Sequence, residues 1–396
     1  MKLNLIFADD AQRIDLFPLA LTRPVADLRT GILTIRQKWE ARMGQGSSSL
    51  AQEYLSQKYP LHWTNDNLVV NGAFLPDDNL VQACMSLEQG EALVYGERVI
   101  ARRYEEGLPE SPVLSLEGAL KRPYPGPVAV INHPWDLFSM NGRGIIDDLP
   151  WVIKGRSSAA LPPGCSHYGS HPLFIEEDAR VRPAIFNTED GPIYIGRGAE
   201  VMEGSLVRGP FALCEYSVLK MGCRVYGPTT IGPYCKVGGE INNVVFLGYA
   251  NKAHDGFLGN AVIGEWCNIG ADSNNSNLKN TYDIVKMWSY RKESFISTGL
   301  QFCGLIMGDH SKCGINTMFN TGTVVGVSCN IFGPGFQRNF IPCFSWGGAQ
   351  GFQPYDLEKS IKVAESVLER RGTKFDEADR RIFLHLHALG MEMFRK

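Results

Sequence analysis

No run of apolar residues in the 396-residue chain approaches the roughly 18 needed to span a bilayer, so no membrane helix is expected. Charge of one sign is also missing, with 39 Lys and Arg against 42 Asp and Glu. A net charge of -3 offers no global attraction for nucleic acid or an anionic membrane, and any polyanion contact has to be local. None of the ten cysteines forms a CxxC pair. The opening MKLNLIFADD alternates and turns acidic by Asp9, as a first β-strand does and a secretory leader does not. The cysteines are therefore expected as small apolar residues in a reducing cytoplasm. Histidine is scarce, and only His254 and His310 fall within 175–331, too few for a three-histidine zinc site there. His385 and His387, two apart on a helical stretch, point away from each other, and no metal site is expected.

What is present is a repeat. Ile195, Val201, Val207, Leu213, Leu219, Val225, Ile231 and Val237 stand six residues apart, with Gly or Pro recurring between them. Ile175 and Val181 lead in, and Met307, Cys313, Phe319, Val325 and Ile331 form a second run in register. A period of six fits neither the 3.6-residue helix nor an uninterrupted strand. It fits a triangular coil in which each hexad supplies a short strand, a corner and one inward aliphatic anchor. Three hexads close a coil, and coils stack at roughly 4.8 Å. Residues 175–331 are thus expected to form a parallel β-helix. Two intervals break the period: Val237 to Ile263, at 26 residues two over four hexads, and Ile269 to Met307, at 38 again two over a multiple of six. Insertions in solenoids become protruding loops, often on the binding face.

Residues 1–150 mix strand-like runs (LNLIF, NLVVNG, ALVYG, PVAVIN) with helical stretches at 31–42 and 48–58, predicting an α/β layer domain. Residues 151–174 are expected as a linker, 175–345 as the β-helix domain and 346–396 as a helical tail. Leu357, Ile361, Ala364 and Leu368 mark one apolar stripe there, and Ala378, Ile382, Leu386, Leu389 and Met393 another.

Chemistry concentrates in 251–288. Lys252-Ala253-His254, Phe257, Gly259, Ala261, Ile263-Gly264, Asn268, Ile269-Gly270-Ala271 and Asn277 follow one another there. This pattern resembles the bifunctional N-acetylglucosamine-1-phosphate uridylyltransferase/glucosamine-1-phosphate acetyltransferase family. The loop SNLKNTYDIVK looks like that of the archaeal sugar-1-phosphate branch, and the whole chain most closely resembles the variant group of Bacteroidetes-type bacteria. The resemblance implies a left-handed β-helix, with His254 as catalytic base and the Ala271 backbone stabilising an oxyanion. It implies that Lys252, Phe257, Asn268 and Asn277 contact the sugar, and that Lys279 or Lys286 holds a phosphate. An imidazole with reference pKa near 6.5 is suited to taking a proton from an attacking amine at neutral pH. Three positions depart from the family: Phe257 replaces a tyrosine, Asp255 a leucine, and Asp272 the second glycine of the Gly-Ala-Gly-Thr corner.

The stretch Leu16-Phe17-Pro18-Leu19-Ala20-Leu21-Thr22-Arg23-Pro24 resembles sugar nucleotidyltransferases, which implies Arg13 and Arg23 as nucleotide contacts. In place of the family's glycine-rich loop stands Asp9-Asp10-Ala11-Gln12-Arg13. Two readings stay open there, a working domain using Mg²⁺ and a retained fold without activity. For the whole, the resemblance implies a cytoplasmic homotrimer that acetylates an amino-sugar 1-phosphate with acetyl-CoA in UDP-N-acetylglucosamine synthesis. The alternatives are a sugar-1-phosphate nucleotidyltransferase using UTP or dTTP, its β-helix serving trimerisation, and a non-catalytic sugar-nucleotide sensor.

Overall fold

The computed structural model describes residues 3–105, 107 and 114–395; Met1 and Lys2 of the expected first strand lie outside them. Two compact units emerge. The first comprises residues up to Leu16, Ala20–Leu28 and Leu33–Asn132, and the second Phe17–Leu19, Arg29–Ile32 and all from His133 onward.

In the first unit, β1 (Asn4–Ala8), β2 (Ser47–Leu50), β3 (Asn67–Asn71), β5 (Glu91–Tyr95), β6 (Arg98–Tyr104) and β7 (Leu120–Pro123) form one sheet. Its order is β2-β1-β3-β6-β5-β7, while β4 (Phe74–Leu75) and β8 (Ala129–Val130) pair separately. β1 is parallel to both neighbours, so the chain reverses direction across the sheet at β1. Helices α1 (Ile35–Met43) and α2 (Asp78–Met85) belong to this unit. Thr34 and Gln37 close a capping box on α1, and fully buried Trp39 donates its indole N–H to the Phe74 carbonyl at 2.9 Å. The helix expected over 48–58 is absent. Ser47–Leu50 is instead an edge strand on β1, followed by a single 3₁₀ turn at Glu53–Leu55. Three consecutive serines compete for helix hydrogen bonds, and pairing with β1 satisfies their backbone.

The second unit is a parallel β-helix with three faces, left-handed as the resemblance implied. Anchors stack in register on the first face: Ile175, Ile195, Leu213, Ile231, Phe246, Ile263, Met307, Val325 and Ile341. The second face carries Val181, Val201, Leu219, Val237 and Lys252, then Ile269, Cys313 and Ile331. The third carries Phe186, Val207, Val225, Ile241 and Leu258. The aliphatic anchors share one buried core. The segment expected as a linker already contains strands 166–168 and 173–175, paired with 185–187 and 193–195, so the stack begins earlier than the strict period suggests.

The interval Val237–Ile263 also has a different cause. It holds five sides, three of them shorter than six residues, rather than four hexads with two extra residues, anchored at Ile241, Phe246, Lys252, Leu258 and Ile263. Strands Glu240–Phe246 and Phe257–Ile263 each run through a corner on a single left-handed residue, Asn243 (φ 55°) and Asn260 (φ 46°). Asparagine tolerates that conformation. The second interval is a true insertion after strand Asn274–Asn275, built on an antiparallel hairpin, Lys286–Ser289 with Ser294–Ser297.

At the corner between first and second faces, the residue three after each anchor from Ile195 onward is left-handed. Gly198, Tyr216, Tyr234, Tyr249, Trp266, His310, Ser328 and Phe344 all have φ between 52° and 61°. Tyr216, Tyr234, Tyr249, Trp266 and His310 stack in a column with neighbouring ring centroids 4.2–6.3 Å apart. Left-handed backbone costs a side-chain-bearing residue roughly 1–2 kcal/mol, and ring stacking offsets it.

Helices α3 (Asp136–Ser139) and α4 (Asn141–Val152) lie on the first face, with Ile145 and Leu149 packed on Phe174, Tyr194 and Ala212. The tail forms α5 (Leu357–Glu369) and α6 (Glu377–Arg395). Ile361, Ala364 and Leu368 of α5, and Ala378, Ile382 and Leu386 of α6, are buried. No helix among the described residues is long and apolar enough to cross a membrane.

Candidate functional site

His254 stands on the corner between second and third faces. The corner's shape depends on Gly256, whose φ is 112° and where a Cβ would lie 2.2 Å from the Ser273 carbonyl. The next coil stacks on it, the Asp272 amide donating to the Asp255 carbonyl at 2.9 Å. Asp272 takes the left-handed position (φ 56°) that the family fills with glycine, so the substitution keeps the turn and adds an exposed carboxylate. The His254 ring is exposed and makes no hydrogen bond among the described residues. The Ala271 amide likewise donates to no acceptor among them, while its carbonyl receives Asn316 N–H at 2.8 Å. An unengaged imidazole and an unengaged backbone donor thus occupy stacked corners. Asp255 lies 3.8 Å from Arg224.

Lys252, expected against the sugar, is instead inside the prism. It occupies an anchor position directly above Val237 and is 1 % exposed. Its ammonium donates to the carbonyls of His254 (2.9 Å) and Gly238 (3.1 Å), tying down the His254 corner from within. Burial lowers its pKa to about 8.

Phe257 and Asn277 converge over Gly259, where a Cβ would lie 2.5 Å from the phenyl ring and 2.8 Å from the Asn277 amide nitrogen. Asn277 also donates to the Asn260 side chain at 2.8 Å. With the Asn243 amide turned so that its oxygen faces the Asn260 amide, the two lie 3.0 Å apart, and three asparagines link successive coils. Asn268 belongs elsewhere. It lies on the second face, bonded to Asn251 at 2.8 Å, in a cleft beside α5. Lys279 closes its own loop by donating to the Ile284 carbonyl at 3.1 Å, and Lys286 is exposed on the hairpin. His254, Phe257, Ala271 and Asn277 therefore sit on two adjoining coils; on the same coils Lys252 turns inward beneath the His254 corner and Asn268 faces outward on the second face. Alternation alone could have flagged both, since Lys252 falls on an inward position and Asn268 on an outward one of the second face.

In the first unit, a cleft of about 410 Å³ opens at the carboxyl ends of β1 and β2, bounded by Asp9, Asp10, Gln52 and Ser115. Sheet reversals of this kind are where α/β domains bind ligands. Asp9 is buried, receives the Val25 amide at 3.0 Å and faces Arg13 at 3.1 Å; desolvation pushes its pKa up to about 6. Arg13 is itself buried and donates to the Ala20 carbonyl and to Tyr54 Oη. Asp10 is held by Arg98 at 2.6 Å and Asn71 at 2.8 Å. Arg23 is 4 % exposed. Both carboxylates are committed to arginines, an arrangement that does not fit a Mg²⁺ site. Among the described residues no group of three or more His, Cys, Asp or Glu could hold a metal.

Residues 5–157 match the family described as sugar nucleotidyl transferase. The bifunctional protein GlmU of Rippkaea orientalis is 31% identical over 146 residues, covering 33% of this chain and 28% of that protein. GlmU of Nocardia farcinica is 29% identical over 195 residues, covering 47% of this chain and 33% of that protein. The chain thus spans at most about a third of the length of these curated relatives. Among solved structures, the polySia-specific acetyltransferase NeuO overlays 53% of this chain and 98% of its own at 12% identity, with a TM-score of 0.29. That score is too low to add to the argument. In part, then, the chain is similar to these proteins: a segment matching the sugar nucleotidyl transferase family is joined to a β-helix with a six-residue repeat.

Proposed function

We propose that the protein is an acetyl-CoA-dependent N-acetyltransferase acting on an amino-sugar 1-phosphate of the glucosamine-1-phosphate type, in UDP-N-acetylglucosamine synthesis. The observation that carries this reading is the pair of stacked corners, with the His254 ring and the Ala271 amide both unengaged beside Phe257 and Asn277. The amine nitrogen of the sugar forms a bond to the thioester carbon, and the proton it sheds passes to His254. Negative charge gathering on the carbonyl oxygen is met by the Ala271 N–H. The C–S bond then breaks, and the departing thiolate takes up a proton. Phe257 and Asn277 form one wall for the sugar, and Lys286 on the hairpin is the cation available to its phosphate. A homotrimer accords with the apolar strip along the third face, where Tyr168, Ile185, Leu206 and Tyr226 are each 38–50 % exposed.

The test is free-thiol release from acetyl-CoA and glucosamine-1-phosphate. His254→Ala is expected to slow it by roughly 10²–10⁴-fold with the melting temperature unchanged. Release that survives the substitution removes His254 as base, and no release from a panel of amino sugars removes the function. A second reading, sugar-1-phosphate nucleotidyl transfer from UTP or dTTP with Mg²⁺, is favoured by the match over 5–157. Pyrophosphate release would support it, against the paired carboxylates of the first unit.

A further inference from the structure

A cleft of about 680 Å³ lies between the second face of the β-helix and α5. Its floor is a ladder of outward residues on successive coils, Lys236, Asn251, Asn268 and Lys312. One wall is the edge of the aromatic column at Tyr249 and Trp266; the other is α5 and its end, with Lys362, Val363, Val367, Arg370 and Arg371. Five cations border this space, and among the described residues none of them lies within 4.0 Å of a carboxylate. Two arginines at the end of α5 complement the helix dipole. That leaves Lys236, Lys312 and Lys362 unexplained. Lys312 donates one bond to the His310 carbonyl at 2.9 Å and is otherwise desolvated, its pKa lowered by burial to about 8. Lys236 is shifted down as well, first by burial and then by Arg371, Lys220 and Arg370. Cations are gathered at the expense of their own charge state, as expected where an anion completes the site.

We infer that this cleft binds a nucleotide carrying more than one phosphate, its phosphates on Lys236, Lys312 and Arg371 and its apolar portion against Val363, Val367 and the ring edges of Tyr249 and Trp266. The volume suits a ligand of that size. The chemistry has two sources, the nucleotide end of CoA and a free nucleoside triphosphate. Only the CoA source rests on the acetyl-transfer reading. The cleft itself is independent of His254.

Titration calorimetry on the full chain distinguishes them, with CoA, dephospho-CoA, ATP and UTP as probes. Each charge-assisted phosphate contact is worth about 10-fold or more in affinity. The variants are Lys236→Gln, Lys312→Gln and Arg371→Gln, with exposed Arg182→Gln, outside the cleft, as control and melting curves to verify folding. Tight CoA binding, weaker dephospho-CoA binding, and a loss of about 10-fold in each cleft variant but none in Arg182→Gln support the CoA source. Binding of ATP or UTP in preference to CoA, with the same dependence on the cleft cations, supports the free nucleotide. Absence of binding by every probe at millimolar concentration, or binding untouched by all three variants, overturns the site. Because no turnover is read, a failed acetyl-transfer assay leaves this result intact.

Discussion

The coils from Ile195 to Val237 and those from Gly238 to Asn277 share one prism but are built by opposite means. The first set has an aliphatic anchor on every side and unbroken six-residue spacing. The second turns corners on single residues at Asn243 and Asn260, and places Lys252 and Asn275 at inward positions. Asn275 is satisfied there, receiving the Gly259 amide at 2.8 Å and donating to its carbonyl at 2.9 Å. Regular coils maximise apolar burial. Irregular ones exchange some of it for polar groups that hold particular corners in place, and those corners carry His254, Phe257 and Asn277. The difference teaches that the candidate site of this solenoid gathers at its departures from the repeat rather than within the regular coils.

Three substitutions sharpen this contrast. Ile231→Ala, in the regular coils, empties a fully buried anchor and is expected to cost about 2–5 kcal/mol by urea denaturation. A cost near zero would mean that the regular coils are not the stabilising part. Lys252→Met addresses the irregular coils. The wild-type ammonium has a folded pKa of about 8 against 10.5 unfolded, so between these pH values the unfolded chain binds the extra proton. Wild-type stability from this group is therefore lowest below pH 8 and recovers as pH rises to 10.5. Relative to Lys252→Met, the wild type should gain about 3 kcal/mol across that window. A difference independent of pH would show that no buried charge is present. The smallest effect concerns thiol access. Cys165 is half-buried and the other nine cysteines are buried, with Cys214, Cys223, Cys303 and Cys329 pushed up to about 12 by desolvation. Native protein should present one thiol to a disulfide reagent within minutes, and Cys165→Ser should remove that signal. Fast labelling of more sites would reveal opening of the prism.

Where an element repeats, the amino-acid pattern was enough to read it. The steps of six and the two tail helices correspond to observed anchors and buried stripes, because burial alternates with a fixed period in both. Legibility fails where a polar residue takes an apolar residue's place. For Lys252 the resemblance implied a sugar contact, whereas its register places it inside. Ser47–Ser49 carried no apolar signal, and β2 exists through its pairing with β1. The 26-residue interval misled because a corner can be turned by a single left-handed asparagine, which no residue count distinguishes from an insertion. Within the candidate site, His254, Phe257, Ala271 and Asn277 were legible as a group because they share two coils. The cationic cleft was not, since α5 and the second face are distant in sequence.

The aromatic column has a consequence for how such a chain can change length. Tyr216, Tyr234, Tyr249 and Trp266 occupy the same corner of successive coils, each ring resting on the next. Gaining or losing one complete coil would return every ring to an equivalent neighbour. A fraction of a coil would rotate all later corners away from the stack and leave bulky residues in left-handed backbone without their compensation. The number of coils is therefore quantised, whereas residues are gained or lost within a coil where a side is shortened, as at Asn243 and Asn260, or at the loop after Asn275, each of which rejoins the path at the same corner.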